Sequence, residues 1–125
     1  MNKYITELIG TLFLVMGAAL GGAMGASLAL MVMIYAGGHI SGGHYNPAVT
    51  LSVWMRGKIE MKDAVMYWIF QFAGAVIAAL LVAYIFGVEG GASCVIPDGG
   101  GTKAMLAELL GTFALAYVVL NVATA

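Results

Sequence analysis

His39-Ile40-Ser41-Gly42-Gly43-His44-Tyr45-Asn46-Pro47-Ala48-Val49-Thr50 is a polar, glycine-rich stretch set between long apolar segments. Asn46-Pro47 reads as a helix start. Asn is a preferred N-cap, and Pro suits the first helical position, where its missing N–H would have had no intrahelical partner. The helix that follows, Ala48 to about Met55, is too short to cross a hydrocarbon core of about 30 Å, which takes roughly 20 residues. Irregular backbone leading into a half-helix survives at membrane depth only where it is buried in protein or lines a watery cavity. Residues 39–55 are therefore expected to form a re-entrant loop and half-helix at a permeation site.

On the N-terminal side, Leu8 to Gly38 carries no charge. The run is too long for one comfortable span and slightly short for two. Gly21-Gly22 and Gly25 offer a break, giving spans over about 4–20 and 23–37. The alternative is one steeply tilted helix in which Gly17, Gly21 and Gly25 form a packing ridge. Charge placement favours the two-span reading. It puts Lys3, Arg56, Lys58 and Lys62 on one side and Lys103 across the membrane, with the N-terminus cytoplasmic. A single span would face Lys3 away from the other three.

On the C-terminal side, Arg56 to Asp63 reads as a solvated cytoplasmic connector. A third span is expected over 64–86, with Gly74, Ala75, Ala78, Ala79 and Ala83 allowing close packing. Tyr67, Trp68 and Tyr84 fit interfacial aromatic belts. Gly87 to Thr102 is a glycine-rich external connector with Pro97-Asp98, and Cys94 rests there as a free thiol. A fourth span is expected over 103–125. Met31, Met33 and Tyr35 are expected to pack.

Composition agrees with a lipid environment: 62% of the 125 residues are hydrophobic and 9% charged, with a mean hydropathy of +1.00. A soluble domain carries roughly a quarter charged residues. The net charge of −1 gives no basis for nucleic-acid binding. The N-terminus lacks a basic n-region and a small-residue cleavage site, so the first apolar stretch is expected to be a retained anchor. No metal-ligand spacing surrounds Cys94, His39 or His44. No nucleophile–base pair or cofactor motif points to an enzyme, and no metal or cofactor is expected.

Glu7-Leu8-Ile9-Gly10-Thr11-Leu12-Phe13 returns as Glu108-Leu109-Leu110-Gly111-Thr112-Phe113. The chain crosses the membrane three times before the copy begins, so the copy runs in the opposite sense, as in an inverted-topology repeat with its site at the repeat interface. A carboxylate inside a span costs on the order of 2.5–3.5 kcal/mol at the helix centre. Glu7 and Glu108, at matching positions, are best explained as acceptors for backbone N–H groups of re-entrant loops.

Ser41-Gly42-Gly43-His44-Tyr45-Asn46-Pro47-Ala48-Val49-Thr50, the two Glu-x-x-Gly-Thr segments and the order of spans together resemble the aquaporin, or major intrinsic protein, family, in its prokaryotic style. The resemblance covers essentially the whole chain. It implies an all-α membrane protein: an aquaporin-like inverted-repeat helix bundle, incomplete, with four transmembrane spans plus one re-entrant half-helix. It implies a passive channel for water or small neutral solutes such as glycerol, in the plasma membrane, assembled as a homotetramer. By resemblance, Asn46 caps the half-helix and offers its side-chain NH₂ to a passing water. Pro47 sits at the helix start, and Ala48 and Val49 form the adjoining apolar surface. Carbonyls around Gly42, Gly43, His44 and Tyr45 form a ladder of acceptors. Read from the residues themselves, His39 and His44 are structural histidines expected to pin the loop through their side chains instead of touching the permeant. The half-helix N-terminus, with roughly +0.5 charge, would repel hydronium.

The family pattern has six spans and two Asn-Pro-Ala half-helices, and this sequence ends after the expected fourth span. The second box and the filter arginine that follows it have no counterpart here. Ala26 stands where many water-selective members place a filter aromatic, which implies a wider filter on that wall. The other reading open to the sequence is a four-span membrane protein that acts in assembly, binds through its Gly/Ala faces and conducts nothing.

Overall fold

The structure, a computed structural model, describes residues 2–87 and 100–125. Most of the connector expected over Gly87 to Thr102, with Cys94, Pro97 and Asp98, lies outside the described residues. The elements are four helices: α1 (Lys3–Ser41), α2 (Pro47–Met55), α3 (Met61–Phe86) and α4 (Gly101–Val122). There is no strand among the described residues. Three of the helices, α1, α3 and α4, are long and apolar enough to cross a membrane.

α1 is not one rod. At 1.5 Å per residue a straight helix of its 39 residues would run about 58 Å, nearly twice the core of a bilayer. Gly22, at φ 58° and ψ −144°, leaves the helical region and turns the chain back on itself. That conformation suits glycine because no Cβ meets the following carbonyl. The result is a hairpin of two arms, 3–21 and 23–41. Glycines let the arms touch near the turn: a Cβ on Gly17 would lie 2.6 Å from the carbonyl oxygen of Gly25. At the far end Ser41 hydrogen-bonds to Glu7, residues that a straight helix would hold about 51 Å apart.

α3 packs along this hairpin. Gly74 makes the closest approach, where an added Cβ would collide with the backbone carbonyl of Leu8. At one end of the bundle Asp63 accepts hydrogen bonds from Lys3 Nζ at 2.7 Å and from the Tyr4 hydroxyl at 2.6 Å. Asp63 belongs to the first turn of α3, where a carboxylate also faces the positive end of the helix dipole. It is therefore a helix-end clamp, not part of a solvated connector.

α2 is tucked between α3 and α4. With nine residues it is about 14 Å long, under half the hydrocarbon thickness. α4 has no buried residue. Val119 near its C-terminal end and the residues just past it, Ala123, Thr124 and Ala125, share a cavity with Lys3 at the start of α1. The two Glu-x-x-Gly-Thr helices thus run in opposite directions.

The glycines separate tight contacts from permissive positions. Gly74→Ala forces a Cβ against backbone and is expected to destabilise the bundle by about 1–3 kcal/mol. Gly111→Ala meets nothing within 4 Å and is expected to leave stability equal or higher by up to about 1 kcal/mol, since Ala is the better helix former. Unfolding of both variants by SDS titration from mixed micelles checks the contrast.

Candidate pore-loop site

The loop between α1 and α2 begins where α1 ends in a left-handed cap at Gly42, φ 90°, whose N–H donates to the Gly38 carbonyl at 2.8 Å. Gly43 (φ 66°) and Tyr45 (φ 48°) are also left-handed, before Asn46 returns to extended backbone at φ −153°. Such a path makes no repeating backbone ladder, so its N–H groups need acceptors from elsewhere.

Glu7 supplies them. Its carboxylate is fully buried. Oε1 accepts from the Ser41 hydroxyl at 2.6 Å and the His44 N–H at 3.1 Å. Oε2 accepts from the Tyr45 N–H at 2.7 Å and Gln71 Nε2 at 2.8 Å. An ionised carboxylate is acceptor-only with about four lone-pair sites, so four donors match its capacity. The Ser41 oxygen in turn accepts from the Gly43 N–H at 3.1 Å.

A second ring of bonds extends from this centre. Gln71 Nε2 also donates to Thr50 Oγ1 at 3.0 Å. The Thr50 hydroxyl lies 3.2 Å from the Asn46 carbonyl and 3.0 Å from His44 Nδ1, so it ties the His44 ring to the start of α2. The Tyr67 hydroxyl donates to the Ser41 carbonyl at 2.6 Å, with its ring edge-on to His44 at 5.0 Å between centroids.

Asn46 closes the loop and opens the half-helix. Its Oδ1 accepts from the N–H groups of Ala48 at 2.8 Å and Val49 at 3.4 Å. Those donors fix the amide orientation, and the Nδ2 amino group has no partner among the described residues. Trp68 Nε1 donates to the Pro47 carbonyl at 3.1 Å and steadies the first turn. Two cavities border the loop. One, of about 560 Å³, takes Gly42 and His44 together with Lys3, Lys58, Glu60 and Asp63. The other, of about 240 Å³, takes Tyr45, Asn46 and Pro47 together with Thr11 and Gln71.

The structure thus brings Glu7, Gly42, Gly43, His44, Tyr45, Asn46, Pro47 and Ala48 into one unit. Val49 is buried at 2% exposure, so of the two residues expected to form apolar surface after Pro47 only Ala48 presents any. His39 is exposed and takes no part in the bonds around Glu7, because it lies on the outer side of the last turn of α1. Ala26 is half-buried one turn beyond the Gly22 reversal and lines neither cavity. Glu108 is exposed on an apolar groove of α4 beside Met105, Leu109 and Thr112, and no loop backbone among the described residues reaches it. Met31 and Tyr35 are exposed instead of packed.

Tyr67, expected in an aromatic belt, is buried against the loop instead. Tyr67 is 3% exposed and holds the last carbonyl of α1, while Trp68 is half-buried and holds the first carbonyl of α2. Sequence reasoning assigns Gln71 no role and includes Thr50 only as the last residue of the loop stretch. The available signal was Gln71 itself, a lone amide in the middle of an apolar span, where polar side chains serve as interhelical links.

The sequence matches the family described as "Major intrinsic protein" over residues 16–125. The chain belongs to the major intrinsic protein family. It is 35% identical to "Glycerol uptake facilitator protein-like 6" of Lactiplantibacillus plantarum over 98% of this chain and 63% of that protein. It is 33% identical to "Aquaporin NIP1-1" of Zea mays over 99% of this chain and 50% of that protein. "Aquaporin Z" of Brucella melitensis is 37% identical over 68% of this chain and 44% of its own length. The chain thus spans about half the length of the curated relatives it matches. In this family member, the re-entrant loop is held by an acceptor buried on the first arm of α1.

Glu7→Gln keeps the shape but turns one oxygen into an NH₂ that faces other donors. The expected outcome is a loss of about 2–4 kcal/mol, because hydrogen bonds to charged groups and buried unpaired donors are both involved. The loss is expected to come with faster amide exchange at the two loop N–H groups that Glu7 accepts from. SDS unfolding midpoints, with amide exchange at His44 and Tyr45, check both.

Proposed function

We propose that this chain builds the wall of a passive channel for water and small neutral solutes such as glycerol, with Asn46 at the narrow part of the path. The observation that carries the reading is the division of labour within the Asn46 amide. Its oxygen is tied into the first turn of α2, and its NH₂ is left as a donor at the wall of a cavity. A water moving through an apolar tube must have its lost hydrogen bonds replaced. A single donor, with carbonyls of Gly42 to Tyr45 as acceptors along one side, does that without trapping it. The N-terminus of α2, with roughly +0.5 charge, disfavours hydronium and other cations at the same point.

The family relationship supports channel activity over catalysis, since its members are channels and not enzymes. The names of the relatives, a glycerol facilitator and aquaporins, support the solute class. In this reading the end bearing Lys3, Arg56, Lys58 and Lys62 faces the cytoplasm, in keeping with the positive-inside rule. The protein resides in the plasma membrane as a homotetramer with one path per subunit. Glu108 supports a second loop as Glu7 supports the first, and Ala26 widens the filter.

The test is osmotic shrinkage of vesicles holding protein expressed from its native reading frame. Shrinkage is expected to exceed that of protein-free vesicles. Asn46→Asp retains an N-cap but replaces the donor with an anion, so insertion is expected to hold while water flux falls about tenfold, the equivalent of one lost hydrogen bond. Unchanged flux in that variant removes Asn46 from the path. Wild-type shrinkage equal to that of empty vesicles, with insertion proven, favours the non-conducting assembly role.

A further inference from the structure

The carbonyl of Tyr45 belongs to the path proposed above, but its side chain does not. That side chain is nevertheless among the most tightly held in the protein, 1% exposed. Its ring enters the seam between the two arms of α1. On the 3–21 arm a Cβ at Gly10 would collide with the ring, and on the 23–41 arm a Cβ at Gly37 would lie 2.5 Å from the hydroxyl oxygen. The hydroxyl itself donates to the backbone carbonyl of Met33 at 2.9 Å. The backbone of the same residue is left-handed at φ 48°, the only non-glycine with positive φ among the described residues. Bulky residues rarely adopt that region, and such a conformation persists where the surroundings over-determine it. Here three holds act together: Glu7 on the N–H, the glycine slot on the ring and Met33 on the hydroxyl. The next residue is Asn46, whose direction follows from the dihedrals of residue 45.

We infer that Tyr45 is a positioning residue for Asn46. The hydroxyl latch on the Met33 carbonyl and the Gly10–Gly37 slot keep residue 45 left-handed and thereby fix the direction in which the Asn46 side chain leaves the loop. The consequence for permeation rests on the reading of Asn46 as the donor to the permeant. Without the latch, the ring rotates in its slot, φ relaxes, and the Asn46 amide swings relative to the path. A re-aimed donor favours one permeant over another, whereas a loss of folded channels lowers all fluxes alike.

Tyr45→Phe removes the latch and keeps the ring. Gly37→Ala displaces the hydroxyl, and presses on Thr6 Cγ2 as well, while leaving the phenol chemically intact. The isotopically labelled protein, expressed from its native reading frame, is placed in lipid nanodiscs for amide hydrogen exchange and in vesicles for water and glycerol permeability. In both variants the amides of residue 45, Ala48 and Val49 are expected to exchange about tenfold faster or more, while those of Ala78 and Val82 in α3 keep wild-type rates. The glycerol-to-water permeability ratio is expected to change by about threefold or more. Unchanged exchange at 45, 48 and 49, or equal acceleration at Ala78 and Val82, overturns the inference, because a merely structural side chain gives one or the other. Altered local exchange with an unchanged ratio also overturns it. Where neither wild type nor Asn46→Asp conducts, the channel reading fails by itself, and the exchange pattern still decides whether Tyr45 positions Asn46.

Discussion

The Glu7 carboxylate is the interaction on which the other features of this protein depend. A loop that turns through three left-handed residues cannot pair its own N–H groups, and lipid offers no water to do so. Glu7 gathers donors from three separate elements: the far arm of its own helix through Ser41, the loop through His44 and Tyr45, and α3 through Gln71. Remove the acceptor and the His44 and Tyr45 N–H groups lose the partner that satisfies them in the buried loop. The reversal of α1 at Gly22 is the precondition, since only an antiparallel hairpin brings the end of the second arm beside the start of the first.

Close packing makes that meeting possible. Between apolar helices in lipid there is little hydrophobic gain, so association rests on van der Waals contact and interhelical hydrogen bonds. Small residues determine how near the backbones come. Gly17 against Gly25 closes the hairpin near its turn, and Gly74 against Leu8 seats α3 on the first arm. Gly10 serves a different purpose: it lies on the same helix face as Glu7, three residues on, and admits the Tyr45 ring whose N–H Glu7 holds. One short segment thus contributes both the charge and the space that the loop requires.

Much of this could be read from residue types. The half-helix was legible because Asn-Pro is both a cap and a first-turn signal, and because nine residues cannot span a core. The buried role of a carboxylate was legible because few other arrangements justify one in a span. The supporting shell was not. Tyr67 and Trp68 carry the composition of an interfacial belt. Whether such residues face lipid or loop depends on the rotation of α3 about its axis, which Gly74 and Asp63 determine through contacts far away in sequence. His39 and His44 illustrate the same limit. Both are histidines at the loop, yet only His44 follows the left-handed turn and faces inward, where Thr50 meets its ring. The Tyr45 side chain was hidden for a related reason, since its slot is formed by two glycines from different arms.

The copy of the segment on α4 stands in a different physical situation. Glu108 and Gly111 repeat the spacing of Glu7 and Gly10, but Glu108 is exposed and a Cβ on Gly111 would meet nothing within 4 Å. A carboxylate facing hydrocarbon costs on the order of 2.5–3.5 kcal/mol, and α4 buries no residue against the rest of the chain to offset it. In a bilayer, then, the face of α4 that carries Glu108 is stable only against polar groups or water. The charge and the space that hold one loop on α1 are both present on α4. In the reading proposed above they serve a second loop, as Glu7 and Gly10 serve the His44 and Tyr45 of the first.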